Sequence, residues 1–234
     1  MNPDIVLTGW CKLGVMFNVS PAKNTPDIEN LLIDTAAVLP QNARLLPVAV
    51  TWLCKYYRLV CRHRLAGFAA KIVDGDVSAA LGLILDIVKS KTGIDHFNLA
   101  IKQCQPAKIS KPLFIFDRKT KKLSLLARAE SSDMARKWGL WCSQVQLKND
   151  AVRPIKWIMA HNPPLKQRAI FGGNLKVSIL ESLARDSQAG QSESALSRYC
   201  YATRKAIREA LDHLEFCQII RRESIGAKVR IILA

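Results

Sequence analysis

Arg204, Lys205 and Arg208 follow directly on Thr203, whose hydroxyl can accept an orphan backbone N–H at the start of a helix. Ile207, Ala210, Leu211 and Leu214 then recur at helical spacing and form one apolar face, which leaves the three bases on the first two turns of the other face. Acids rather than bases suit that end of a helix, because the dipole there is positive. Bases in this position point to an anion outside the protein. The chemistry they offer is recognition: arginine can bind guanine O6 and N7 bidentately, and lysine can hold a phosphate as a point charge.

Residues for making and breaking bonds are not assembled in the same way. The chain has no phosphate-binding glycine loop, no dinucleotide fingerprint, no nucleophile elbow and no HExxH pair. His63, His96, His161 and His213 are isolated in sequence. Asp74 and Asp76 stand two apart, which is compatible with a metal pair, but a glycine turn leading into a helix cap explains both. We therefore expect no enzyme activity, no catalytic residue, no metal and no cofactor.

The elements that would position the three bases lie close by. A short helix precedes the turn before Thr203, and residues 218–222 and 228–233 read as strands with a turn at 224–226. Leu196-Ser197, Ala202-Thr203, Ala206-Ile207, Leu211, Leu214 and Ile219-Ile220-Arg221-Arg222 mark out a pattern of small and apolar positions. Over residues 174–233 this pattern resembles the winged helix-turn-helix of bacterial and archaeal DNA-binding regulators. The chain departs from it at Tyr201, where that family usually has glycine. The resemblance implies that the helix over 203–216 enters the major groove, bringing Tyr201, Thr203, Arg204, Lys205 and Arg208 to DNA. Arg221, Arg222, Lys228 and Arg230 would flank the backbone from the wing.

A chain of 234 residues, 49% of them hydrophobic, is long enough for one large or two modest domains with a real core. The formal net charge is +16. Residues 1–170 hold 25 Lys and Arg against 12 acids, and residues 171–234 hold 10 against 7, so the C-terminal part is not the main source of the charge. Whatever acidic surface this protein meets, its N-terminal part is expected to meet it too. The densest run is residues 102–122, with seven bases and one acid, and its Lys119, Lys121 and Lys122 are candidate phosphate contacts. Seven scattered cysteines without a CxxC pair argue for free thiols in a reducing cytoplasm, and Cys54, Cys142, Cys200 and Cys217 read as small buried hydrophobes. The start MNPDIVL, with an acid and no basic stretch, is not expected to act as a signal peptide, and the longest apolar run, residues 79–88, is too short to span a bilayer.

Further elements follow from periodicity. The first 25 residues read as a strand or a loose start, and residues 26–39 as a helix stopped by Pro40. Residues 42–63 read as one long helix, with Lys55, Arg58 and Arg62 on a shared face. Asp76 is expected to cap a helix over 76–90 that Gly93 ends, and a short helix follows over 94–104. Residues 102–122 are expected to form a hairpin or ordered loop. Helices are expected over 132–147, with Trp138 and Trp141 at the packed face, and over 151–161. Asn174 is expected to cap a further helix.

The expected fold is mainly α: a helical N-terminal domain over residues 1–170, then a winged helix-turn-helix with a two-stranded wing over residues 171–234. The expected function is duplex-DNA binding as a transcriptional regulator or repressor, in the cytoplasm, as a homodimer and without a membrane. The N-terminal domain would supply dimerisation, phosphate contacts or both. The alternative is an antitoxin-like or phage-defence accessory protein, whose winged helix and basic surface serve a protein–nucleic acid assembly that includes a protein partner.

Overall fold

The computed structural model describes residues 2–186, 188–225 and 228–234. The chain divides into two compact units, Met1–Tyr57 with Leu65–Lys166, and Arg58–Arg64 with Gln167–Ala234. The fold is mainly helical and closes on a two-stranded antiparallel sheet. No helix among the described residues is long and apolar enough to cross a membrane.

The first unit opens on helix α1 (Pro3–Lys12) rather than a strand or loose segment. Asn2 caps it, accepting the Asp4 N–H at 2.9 Å, and Pro3 stands at the first helical position, where its missing N–H costs nothing. Helix α2 (Ile28–Val38) is capped by Asp27 and runs into a 3-10 turn containing Pro40. Helix α3 (Leu45–Tyr56) stops well short of His63. A 3-10 turn follows it and helix α4 (Arg62–Ala69) starts afresh, so Lys55, Arg58 and Arg62 share no helical face. The break has a cause: the Arg58 carbonyl, which a continuous helix would give to residue 62, accepts the Gly173 N–H at 2.8 Å.

Helix α5 (Gly75–Thr92) is the buried centre of the first unit. Its cap is Asp74, not Asp76: the Asp74 carboxylate accepts from Asp76 N–H at 2.8 Å and Val77 N–H at 3.4 Å. Asp76 sits in the first turn and pairs with Lys111. Gly93 ends the helix at φ 69°. Gly82 leaves room for the ring of Trp138, which a Cβ would meet at 2.3 Å. Trp138 then donates its indole N–H to Asp86 at 3.1 Å. Trp10 and Trp52 are fully buried with ring centroids 5.6 Å apart, and they donate to Thr35 Oγ1 and the Leu13 carbonyl at 2.8 and 2.9 Å.

Helix α6 (Asn98–Gln103) is followed by strand β1 (Lys111–Pro112). The segment beyond is not a hairpin. Thr120 caps helix α7 (Lys121–Ala129), accepting the Leu123 N–H at 3.2 Å, and α7 buries none of its residues. The expected helix over 132–147 is only α8 (Asp133–Lys137). Gly139, at φ 67°, turns the chain into strand β2 (Leu140–Trp141), which pairs in parallel with β1. Helix α9 (Ile155–His161) starts after Pro154, later than expected, because Val152 is extended and bridges Val15.

In the second unit, helix α10 (Leu165–Phe171) leads to α11 (Leu175–Arg185), α12 (Glu193–Cys200) and α13 (Arg204–Phe216). Each of the last three has a side-chain cap. Asn174, Ser192 and Thr203 accept the N–H groups of Val177, Ala195 and Ala206 at 3.2, 3.1 and 3.3 Å. Strands β3 (Ile220–Ile225) and β4 (Lys228–Leu233) pair from Ile220↔Leu233 to Ile225↔Lys228. The expected turn at 224–226 falls partly on Gly226, outside the described residues. Ile179, Leu196, Ile207, Leu211, Leu214 and Ile231 meet in one core. Gly173 lies so close to Val60 that a Cβ would stand 2.1 Å from its carbonyl oxygen.

Candidate nucleic-acid interface

Helices α12 and α13 are joined by Tyr201, Ala202 and Thr203. Tyr201 takes the left-handed conformation, φ 53° and ψ 44°, that glycine adopts without penalty. For a residue with a Cβ this conformation costs about 1–2 kcal/mol. The surroundings hold it there: the Tyr201 N–H donates to the Ser197 carbonyl, and the Ser197 hydroxyl donates to the Ala202 carbonyl at 2.5 Å. The tight turn therefore forms without glycine.

Burial of Ile207, Ala210, Leu211 and Leu214 turns Arg204, Lys205 and Arg208 outward. Their electrostatic situations differ. Arg208 is spoken for: its Nε and Nη2 donate to the Glu193 carboxylate at 3.2 and 3.0 Å. That contact holds the Arg208 guanidinium above its ordinary pKa. Arg222 is tied more firmly. Its Nη2 donates to Asp212 at 2.7 Å, its Nη1 to Glu215 at 2.7 Å, and Glu193 lies at 3.9 Å. Arg221 pairs with Glu223 at 3.0 Å. Arg204, Lys205 and Arg230 have no ion pair among the described residues, and all three are exposed.

The structure thus brings Tyr201, Thr203, Arg204 and Lys205 onto one turn and its helix start, and joins Arg208 to Arg222 through Glu193. On the hairpin, Arg230 stands opposite Glu223, and Lys228 stands opposite Ile225, with its side chain outside the described residues. Lys119, Lys121 and Lys122 belong to the first unit. Lys119 caps a 3-10 turn with its ammonium 5.4 Å from the Phe116 ring, and Lys121 and Lys122 occupy the first turn of α7. Sequence reasoning missed Glu193 as the group that occupies Arg208, since the two are fifteen residues apart with no local pattern between them. It also missed Arg198, an exposed base in the last turn of α12.

Other candidate chemistry is used by the fold or stands alone. Asp74 caps α5 and Asp76 pairs with Lys111. His161 stacks on Trp157 at 3.8 Å. Among the described residues, no group of three or more His, Cys, Asp or Glu is placed to hold a metal ion. Cys142 and Cys200 are buried as expected and Cys54 is half-buried, but Cys217 is exposed, because it follows α13 at the end of the apolar stripe.

No family model matches the chain, and no curated protein or solved structure does either.

Proposed function

We propose that this protein binds duplex DNA through its C-terminal unit, as a winged helix-turn-helix transcriptional regulator or repressor. The observation that carries the reading is the start of α13. There Arg204 and Lys205 project from the first turn of a helix that follows a tight turn, with no acid among the described residues paired to them. In this reading α13 lies in the major groove, Arg204 reads a base edge or a phosphate, Lys205 holds a phosphate, and Arg230 meets the backbone from the hairpin. Arg208 and Arg222 act differently from the free bases. Their acids hold them in place, and they orient α13 and β3 more than they attract DNA. A homodimer reading a two-fold site belongs to the same proposal.

The test is a titration of specific and random duplexes at several salt concentrations, with light scattering alongside. Arg204→Ala is expected to weaken specific binding by about 1–3 kcal/mol if Arg204 touches a base edge. Intact binding by Arg204→Ala/Lys205→Ala would overturn the reading. A second reading, assembly with a protein partner, draws on Phe216, which is 85% exposed at the end of α13. It predicts co-purification with an acidic protein and no salt-sensitive duplex binding.

A further inference from the structure

Helix α7, helix α8 and the short parallel ladder of the first unit border an open, solvent-facing pocket of about 490 Å³, lined by Ser110, Leu125, Arg128, Ala129, Arg136 and Trp141. That volume lies in the range of small-molecule sites. The pocket follows from local structure. Leu125, Arg128 and Ala129 are three and four residues apart, so they share one face of α7. The ladder puts Pro112 opposite Trp141, and the Leu113 N–H donates to the Trp141 carbonyl at 3.0 Å, which holds neighbouring Ser110 at the same wall. Gly139 makes this possible. At φ 67° it passes so close to Ala107 that a Cβ would meet the Ala107 carbonyl oxygen at 2.8 Å.

The lining contains two guanidiniums and no carboxylate. Arg128 lies over the Trp141 ring at 5.5 Å from its centroid and has no acid partner among the described residues. Stacking of this kind fixes the guanidinium plane and leaves its N–H groups free. Among the described residues, Arg136 makes only long contacts: 3.4 Å to the Arg128 and Ala129 carbonyls and 4.0 Å to Asp133. Two adjacent forks with spare donors suit a terminal phosphate, which accepts bidentate hydrogen bonds. Leu125, Ala129 and the half-buried Trp141 make the rest of the wall apolar. The site is also larger than a bare anion needs.

We infer that this pocket binds a nucleoside 5′-phosphate. The phosphate sits on Arg128, Arg136 and the Ser110 hydroxyl, and the flat base lies against Leu125, Ala129 and Trp141. This inference is independent of duplex binding by the C-terminal unit.

The test is calorimetric titration of the full chain with the four common ribonucleoside 5′-monophosphates, adenosine and inorganic phosphate, each alone. At least one nucleotide is expected to bind saturably, one per chain, with adenosine and inorganic phosphate weaker by about tenfold or more. Arg128→Ala is expected to lose about tenfold in affinity. Arg128→Lys keeps the charge but loses the fork and the stack, so it is expected to lose most of the binding while its thermal unfolding stays that of the parent. Arg204→Ala should bind nucleotide normally, which separates this site from the proposed DNA interface. The inference is overturned if no nucleotide binds at millimolar concentration, or if inorganic phosphate binds as well as the nucleotides. It is equally overturned if Arg128→Lys is unchanged, if Lys121→Gln/Lys122→Gln loses as much as Arg128→Lys, or if a random duplex displaces the nucleotide.

Discussion

Arg168 and Glu181 form a bidentate ion pair inside the C-terminal unit: Nε donates to one carboxylate oxygen at 2.6 Å and Nη2 to the other at 2.7 Å. Arg168 is only 1% exposed, and its Nη1 reaches the Leu59 carbonyl at 2.7 Å. One side chain thus fastens the 58–64 segment to α11. Removing Glu181 leaves the buried Arg168 without its carboxylate, which costs about 3–5 kcal/mol, whereas removing Arg168 still leaves Glu181 beside Arg185 at 3.8 Å. Arg168→Ala and Glu181→Ala are both expected to lower the urea midpoint, Glu181→Ala by that equivalent. Arg168→Met/Glu181→Leu should cost less than either single change, because no lone charge remains. A double mutant as unstable as the sum of the singles would contradict the pairing.

Glu193 restrains Arg208 and stands 3.9 Å from Arg222. Glu193→Gln is therefore expected to tighten duplex binding and to steepen the dependence of log K on log salt by up to about 0.9, the amount for one further phosphate contact. Arg204→Ala and Lys205→Ala should each flatten the slope by a similar amount if they hold phosphates. Gel-shift titration at several salt concentrations reads all three. Weaker binding by Glu193→Gln would mean that the acid positions Arg208 for DNA rather than withholding it.

Lys121 and Lys122 lie in the first turn of α7, where the helix dipole disfavours bases. Replacing Lys119, Lys121 and Lys122 by Gln should therefore leave thermal stability unchanged or slightly raised. If the first unit contacts DNA backbone through these residues, the salt slope falls by up to about two or three units, with the ratio of specific to random binding unchanged. An unaltered slope in a folded triple variant would assign this surface to solvent or to another partner.

Burial pushes the thiols of Cys104, Cys142 and Cys200 up to about 12. In the unfolded chain a thiol titrates near 8.5. The folded state then holds the protons more tightly, so this stabilisation is complete below about pH 8.5 and is lost as pH rises toward 12. Each thiol contributes at most about 1.4 kcal/mol per pH unit in that window. Urea midpoints measured from pH 7 to 10 should fall only above the lower limit, and Cys→Ala at one site should make the decline shallower. Iodoacetamide at pH 8 should label the exposed Cys217 and spare these three in the folded protein.

Gly82→Ala should destabilise the first unit by about 1–3 kcal/mol, since the new methyl overlaps the Trp138 ring in a packed core. Thermal unfolding and near-ultraviolet circular dichroism of the tryptophans would register it. An unchanged transition would show that the ring moves freely.

The elements legible in the sequence are those whose causes are local. Asn174 and Thr203 cap the helices they precede, and the apolar stripe of α13 lies on its buried face, because caps and periodicity act over a few residues. The long helix expected over 42–63 failed because the Arg58 carbonyl is claimed by Gly173, a partner far away in sequence. The helix over 121–129 is obscured in the sequence because Leu123, Leu125 and Leu126 also suit a strand, although Thr120 caps it. At the candidate site, the outward bases were readable from the helix face. Glu193 was not, and the Arg128–Trp141 pocket was not, because pairing between segments far apart in sequence brings residue 110 next to residue 141.

The placement of residues 58–64 in the second unit also governs the order of assembly. During synthesis this segment leaves the ribosome long before Gln167, so it must wait for most of its partners until the end of the chain emerges. A fragment beginning at Gln167 would lack it altogether. The Arg168 guanidinium and the Gly173 N–H would lose the carbonyls of Leu59 and Arg58, and the Ser178 hydroxyl would lose the Cys61 sulfur it meets at 2.8 Å. The second unit is therefore complete only as a product of two separated stretches of chain, and a synthetic peptide of residues 58–64, added in trans, is the piece that such a fragment would need to recover these contacts.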